Sequence, residues 1–196
     1  MMLPTRACCS ELRLEVNKDP FERVIYIRPM SLEDLEQVRE IDQASFTMPW
    51  PESAYRFELQ KNPASLLWVA ETRLPGEKSN VVGMIVVWLI LDEAHIATLA
   101  VHPDFRRHGI GKRLLATALH QSIRKRVKEA MLEVRASNQA AERLYRGFGF
   151  EIVGHRKRYY QDNQEDAVLM TLRELGSNYL AWLQLQFGLE ISSLSG

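Results

Sequence analysis

Two stretches of this 196-residue chain carry residue types at spacings that could do chemistry. The first is Arg106-Arg107-His108-Gly109-Ile110-Gly111, which closes an apolar, strand-like run and opens a helix-like one. Glycine permits positive φ and close approach of the backbone to a ligand. Successive backbone N–H groups can then face a single point, and a helix N-terminus adds partial positive charge there. Arg106, Arg107, Lys112 and Arg113 add full charges. The combination suits a pyrophosphate. It lacks the third glycine of the dinucleotide fingerprint and the Gly-Lys-Ser/Thr of a P-loop. By residue type alone it also fits a glycine-rich turn before a solvated basic helix.

The second stretch is Leu132-Glu133-Val134-Arg135-Ala136-Ser137-Asn138, followed by Ala141, Leu144, Tyr145, Gly147, Phe148, Gly149 and Phe150. Strand alternation sets Glu133 opposite Leu132 and Val134. A half-buried carboxylate there needs a partner or a task, and Arg135, on the same face, is a candidate ion-pair partner. Tyr145 follows Leu144 on the next helix, and in isolation it fits core packing as well as chemistry.

These residues must be positioned by a larger set of elements. The pattern predicts a strand over 24–28, then a helix from the N-cap Ser31, with Asp34 three positions on, to about Ala44. Pro49 breaks it, and Pro51 opens a second helix to about Lys61. Strands follow over 65–71, 80–91 and 95–101, with Pro75, Gly76 and Asn80 in the first turn between them. A long amphipathic helix begins at Gly109 and Gly111, its apolar face carrying Ile110, Leu114, Leu115, Ala118, Leu119 and Ile123. A strand over 131–135, a short helix over 138–148, and strands over 150–153 and 167–172 complete the set, with a polar loop over 158–166. Strands separated by helices favour a mixed sheet covered on both faces, an α/β (α+β) fold.

Lys plus Arg and Asp plus Glu are both 25, so the formal net charge is zero, which disfavours a dedicated nucleic-acid binder. The basic runs Arg124-Lys125-Arg126 and Arg156-Lys157-Arg158 read as solvated faces. Cys8 and Cys9, the two cysteines, are sequence neighbours, so the core is expected to hold no disulfide and to suit a reducing cytosol. No apolar run reaches the roughly 18 residues of a membrane helix, and the N-terminus lacks a long apolar h-region. Cytoplasmic residence and no membrane partner are the expectation. His95, His102, His108, His120 and His155 show no ligand spacing, so no metal is expected.

The Arg-x-x-Gly-x-Gly pattern after Leu99-Ala100-Val101 resembles the acetyl-CoA site of the GNAT superfamily. The stretch Leu-Glu-Val-Arg-Ala-Ser-Asn, with its Ala, Leu-Tyr and Gly-Phe-Gly-Phe, resembles the ribosomal-protein-alanine N-acetyltransferases within it. The resemblance extends to Phe46-Thr47-Met48-Pro49-Trp50, to Asp92–Ala94, to Arg158-Tyr159-Tyr160 and to Glu165-Asp166-Ala167, and spans about Arg28 to Leu172. It implies a GNAT fold: a central twisted mixed sheet of about seven strands flanked by helices. The expected organisation is a tail over 1–20, the GNAT domain over 21–175 and a helical extension over 176–196.

The resemblance implies acetyl-CoA as co-substrate. Backbone groups of Leu99, Ala100 and Val101 would pair with its pantetheine arm, the amides of Arg107, His108, Gly109, Ile110, Gly111 and Lys112 would hold its pyrophosphate, and Arg106 would also belong to the cofactor site. Asn138 would touch it as well. Glu133 would be the general base and Tyr145 the general acid, with Trp50, Tyr159 and Tyr160 around the peptide entrance. The implied partner is a protein N-terminus, the alanine of a small-subunit ribosomal protein, with no direct nucleic-acid contact. The chemistry is coherent: an α-amine titrates near pH 8 and a lysine near 10.4, so the α-amine is on the order of a hundredfold richer in the nucleophilic neutral form. Other protein N-termini, lysines or small amines are alternative acceptors. A non-catalytic acyl-CoA sensor would not need the Glu133–Tyr145 pair. The apolar segment over 177–187 is expected to pack on its own domain or to join two copies, which leaves monomer and homodimer both open.

Overall fold

The computed structural model describes residues 24–73 and 79–189. In chain order the elements are β1 (Val24–Pro29), α1 (Leu35–Ser45), α2 (Glu52–Gln60), β2 (Ser65–Arg73), β3 (Asn80–Ile90), β4 (Glu93–Val101), α3 (Ile110–Arg124), β5 (Glu129–Arg135), α4 (Gln139–Arg146), β6 (Glu151–Arg156), β7 (Ala167–Leu172) and α5 (Ser177–Phe187). The strands form one seven-stranded sheet in the order β1-β2-β3-β4-β5-β7-β6. β4 and β5 run parallel, joined by the α3 crossover, while the other neighbouring pairs are antiparallel. The mixed α/β sheet expected from the sequence is therefore present. Residues 1–20, Cys8, Cys9, Pro75 and Gly76 lie outside the described residues.

Both faces of the sheet are covered. Val38, Ile41 and Tyr55 of α1 and α2 pack against Val69, Met84 and Val86 on one face. Leu114, Leu115 and Leu119 of α3, Tyr145 of α4 and Leu183 of α5 join Ile85, Leu132 and Phe150 on the other. This explains the near-continuous apolar run of β3, a central strand buried on both sides over most of its length. Gly83 on β3 is a close-approach point. A Cβ there would lie 3.1 Å from the Ala100 carbonyl oxygen and from Leu114 Cδ1, and 3.2 Å from Ile110 Cγ2. The missing side chain lets the first turn of α3 sit directly on the sheet.

The start of α1 follows the expected cap. Asp34 Oδ2 accepts the Ser31 N–H at 2.7 Å, while a 3₁₀ turn over Leu32–Asp34 precedes the helix proper. Arg28 then binds both Asp34 oxygens, at 2.7 and 2.8 Å, and donates to Glu71 at 2.7 Å, tying this corner to β2.

Several boundaries differ from expectation: β2 runs on to Arg73, β4 begins at Glu93 and β5 at Glu129. β6 starts one residue later and runs three further than 150–153. Gly149, at φ +89°, turns the chain, and a bulge between Ile152 and Gly154 lets the edge strand continue through polar residues. β3 stops at Ile90 because Leu91 takes φ +57° in the tight turn to β4. The C-terminal segment packs on its own domain: the Tyr179 hydroxyl donates to the Phe148 carbonyl at 2.7 Å, and Phe148 meets Trp182 edge-on and stacks on Phe187.

Candidate active site

The site begins where two parallel strands part. β4 pairs with β5 only over Glu93–Ile96 and Glu129–Leu132. Beyond that, β4 pairs with β3 alone, and β5 continues on β7 to Arg135. The parting coincides with a bulge. Val86 faces Thr98 and Val87 faces Ile96, so Ala97 is the extra residue on β4. A bulge bends its strand and ends local pairing, and here it opens a cleft of about 370 Å³. Ile96, Ala97, Thr98 and Leu99 form one wall and Glu133, Val134, Arg135 and Asn138 the other, with Tyr145 and Tyr160 beside them. Trp50 and Phe46, Thr47 and Met48 of the α1–α2 loop line the cleft as well.

The glycine turn lies at the C-terminal end of β4. Arg107 and Gly109 both have positive φ, +67° and +76°. Gly109 caps α3, and Arg113 N–H donates to the Gly109 carbonyl at 3.1 Å in the first turn. The N–H groups of Ile110, Gly111 and Lys112 therefore precede the helix's own hydrogen-bond ladder, the arrangement that receives an anion. A Cβ on Gly111 would lie 3.7 Å from Leu144 and 3.8 Å from Val101, which places this turn against α4, one residue from Tyr145. Arg106 is exposed but tied down: its N–H bonds the Pro103 carbonyl, its Nε bonds the Val101 carbonyl at 3.0 Å, and its Nη2 donates to Ser45 Oγ at 3.2 Å. His108 Nδ1 lies 3.3 Å from the Phe105 carbonyl oxygen.

Glu133 stands opposite Leu132 and Val134, as alternation requires, on a strand whose exposure alternates residue by residue. Its ion-pair partner is not Arg135. Arg156 Nη1 lies 2.6 Å from Glu133 Oε1, and Arg135 is instead bound to Asp162 and Glu165. Both arginines sit at the level of Ala167 of β7, on its two sides, so β6 delivers Arg156 across β7. The nearby Glu133 carboxylate is the main influence that pushes the Tyr159 hydroxyl's pKa up.

Tyr145 is buried, edge-on to Phe150 at 5.7 Å, and lines the cleft. Burial, with a smaller contribution from Tyr160, pushes its hydroxyl well above the ordinary phenol value, so it is a proton-bearing donor at neutral pH. Asn138 caps α4 by accepting the Ala141 N–H at 3.1 Å.

Trp50 stacks on Trp88 at 5.8 Å, and its backbone N–H donates to Asp42 Oδ2 at 2.6 Å. Burial pushes the Asp42 carboxyl up, against the opposing pull of the Tyr55 hydroxyl and the Trp50 N–H. Of the expected residues, Leu99, Glu133, Asn138, Tyr145, Trp50 and Tyr160 line one cleft. Tyr159, Ala100, Val101 and the residues of the glycine turn do not line it. Asp42, Arg135 and Arg156 are site residues that residue type and spacing did not single out as such.

Comparison with known proteins decides the family. The model of the acetyltransferase (GNAT) family matches residues 35–150. The chain belongs to the GNAT acetyltransferase family. Within that family it is 33% identical over 145 residues to the ribosomal protein bS18-alanine N-acetyltransferase of Salmonella typhimurium, covering 73% of this chain and 93% of that one. The crystal structure of the ribosomal-protein-S18-alanine N-acetyltransferase from Escherichia coli superimposes with a TM-score of 0.68 at 30% identity, covering 77% of this chain and 94% of that one. A chain of the NatC complex, solved bound to Gag peptide and CoA, gives 0.67 at 28%, with 76% and 98% covered. The GNAT fold and N-acetyltransferase membership expected from the sequence hold.

Proposed function

We propose that this GNAT enzyme is an acetyl-CoA-dependent Nα-acetyltransferase whose acceptor is the N-terminal alanine of a small-subunit ribosomal protein. The observation that carries the reading is the cleft at the β4–β5 parting, which brings a carboxylate, Glu133, and a buried protonated phenol, Tyr145, to one space. The names of the Salmonella and Escherichia coli relatives support the acceptor, and the CoA of the NatC structure supports the co-substrate.

In this reading the N–H groups of residues 107–112 hold the pyrophosphate. The β4 edge over Leu99–Val101, which no strand flanks on the β5 side among the described residues, pairs with the pantetheine arm, and Asn138 borders it. Carbonyl polarisation falls to backbone donors of the same edge. The amine enters past Trp50 and Tyr160, with Tyr159 near Glu133. Its nitrogen forms the bond to the acetyl carbon. Glu133 removes an amine proton, directly or through water. The carbon–sulfur bond breaks, and Tyr145 gives its proton to the departing thiolate.

A mass-spectrometric assay with acetyl-CoA and two peptides tests this. Both begin with Ala and carry an internal Lys, and one has its α-amino group blocked. We expect acetyl on the free N-terminus and none on the blocked peptide. Acetyl on the lysine of both would overturn the Nα assignment.

A further inference from the structure

Arg135 is two residues beyond Glu133 on β5 and lines the cleft, yet its guanidinium faces away from Glu133 into two loops. Nη2 donates to Thr47 Oγ1 at 3.1 Å and to Asp162 Oδ2 at 2.8 Å. Nη1 donates to Asn163 Oδ1 at 3.1 Å and to Glu165 Oε2 at 3.2 Å. The guanidinium carbon lies 3.8 Å from the centroid of the Tyr160 ring. The Thr47 hydroxyl also donates to Asp162. Thr47 belongs to the α1–α2 loop, and Asp162, Asn163 and Glu165 to the β6–β7 loop. Among the described residues, the hydrogen bonds joining these loops run through Thr47, Asp162 and this guanidinium.

We propose that Arg135 is a positioning residue. With Thr47 and Asp162 it forms a clasp that fixes the two loops to each other across the mouth of the cleft, so that the acceptor must present a chain end. The proposal rests on the Nα-acetyltransferase reading and adds the device that enforces it.

Three features carry it. Thr47, Arg135 and Tyr160 all line the cleft, so the bridge stands at the acceptor's path rather than elsewhere on the surface. The side chains of Arg135, Asp162 and Glu165 are only 23%, 21% and 15% exposed, so the ion pairs are partly shielded from solvent. Glu165 is itself anchored: Ser137 N–H donates to it at 2.6 Å, and the Ser137 contacts hold its carboxyl down at about 2. The β6–β7 loop is thereby tied at several points to the β5–α4 turn, and the Thr47 link carries the tie across the mouth.

The chemistry of the residue fits the role. A planar guanidinium with five N–H donors can bind several acceptors in fixed directions while stacking on a ring, and an ammonium cannot. The consequence for substrate choice is geometric. A chain terminus brings one arm of polypeptide and can thread beneath a bridge. A lysine in mid-chain brings an arm on each side, which a bridged mouth obstructs.

Steady-state kinetics of the full chain and its Thr47→Val, Asp162→Asn and Arg135→Lys variants test the proposal. The acceptors are an Ala-start peptide with a free α-amine and an N-terminally blocked peptide with one internal lysine. For Thr47→Val and Asp162→Asn we expect the KM of the Ala-start peptide to rise about three- to tenfold, the effect of one lost hydrogen bond. The acetyl-CoA KM should stay at the wild-type value, and lysine acetylation of the blocked peptide should increase relative to the α-amine. The double variant should be no worse than the worse single one, because both cut the same link. Arg135→Lys should raise the peptide KM as well, although it keeps the charge. An active wild-type enzyme whose single variants keep both the peptide KM and the α-to-ε ratio would overturn the clasp alone. A wild-type enzyme that acetylates neither peptide would overturn the Nα reading and the clasp with it.

Discussion

Gly109 allows the stability and binding contributions of the glycine turn to be separated. Its φ of +76° and ψ of +3° are left-handed, and nothing lies within 4 Å of a Cβ built upon it. A substitution therefore strains the backbone without striking the protein. For Ala the left-handed conformation costs about 1–2 kcal/mol, partly offset by reduced freedom of the unfolded chain, which leaves a net loss of about 1 kcal/mol. Asn tolerates this conformation, so Gly109→Asn should fold with close to wild-type stability. Both variants place a Cβ in open space at the turn that precedes α3. If the pyrophosphate occupies that space, each variant forfeits one or two hydrogen bonds to a charged group, about 1.5–3 kcal/mol apiece. That corresponds to a roughly 10- to 100-fold rise in the Kd for acetyl-CoA. Urea unfolding measures the first quantity and titration calorimetry with acetyl-CoA the second. We expect Ala to lose stability and affinity, and Asn to lose affinity alone. Wild-type affinity in both variants would refute the phosphate-cradle reading of this turn.

Two further predictions concern the scaffold. Gly83→Ala forces a methyl to within 3.1 Å of the Ala100 carbonyl oxygen and of Leu114 Cδ1, and should cost about 1–3 kcal/mol by overpacking, read as a lower urea midpoint at unchanged slope. His120 is buried on α3, and neither ring nitrogen has a hydrogen-bond partner among the described residues. Burial, and then the charge of Arg124, lowers its pKa, so the folded state disfavours the imidazolium that the unfolded chain accepts near pH 6.5. The neutral ring's contribution is complete above about pH 6.5 and is lost as pH falls toward the lowered folded value, at up to about 1.4 kcal/mol per pH unit. Urea unfolding between pH 7.5 and 5 should show this slope in wild type, and His120→Leu should lack it.

The elements that carry the site were largely legible because their signals are local. Period-2 alternation set Glu133 opposite Leu132 and Val134, and the glycine pair marked the start of α3. What was not legible depends on contacts distant in sequence. The run from Ile96 to Val101 reads as one uninterrupted strand, and the bulge at Ala97 emerges only from its register with β3. Arg135, the nearest cation to Glu133 in sequence, is committed to loop residues 27 to 30 positions away, while Arg156 reaches Glu133 across an intervening strand. No local pattern marks Asp162 or Glu165 within a uniformly polar loop as partners of the strand that bears Glu133. The aromatic segment over Ser177–Phe187 announced a helix, but its destination against Phe148 and α3 was set by tertiary packing.

The pH–rate profile of acetyl transfer by Glu133→Gln, with acetyl-CoA affinity measured alongside, tests the assignment of the cleft most directly. Losing a general base should lower turnover by about 10²–10⁴-fold. The loss should be largest at low pH, where the amine arrives protonated, and acetyl-CoA should bind as it does to wild type. Turnover equal to wild type across the pH range would show that Glu133 is not the base and would contradict the assignment.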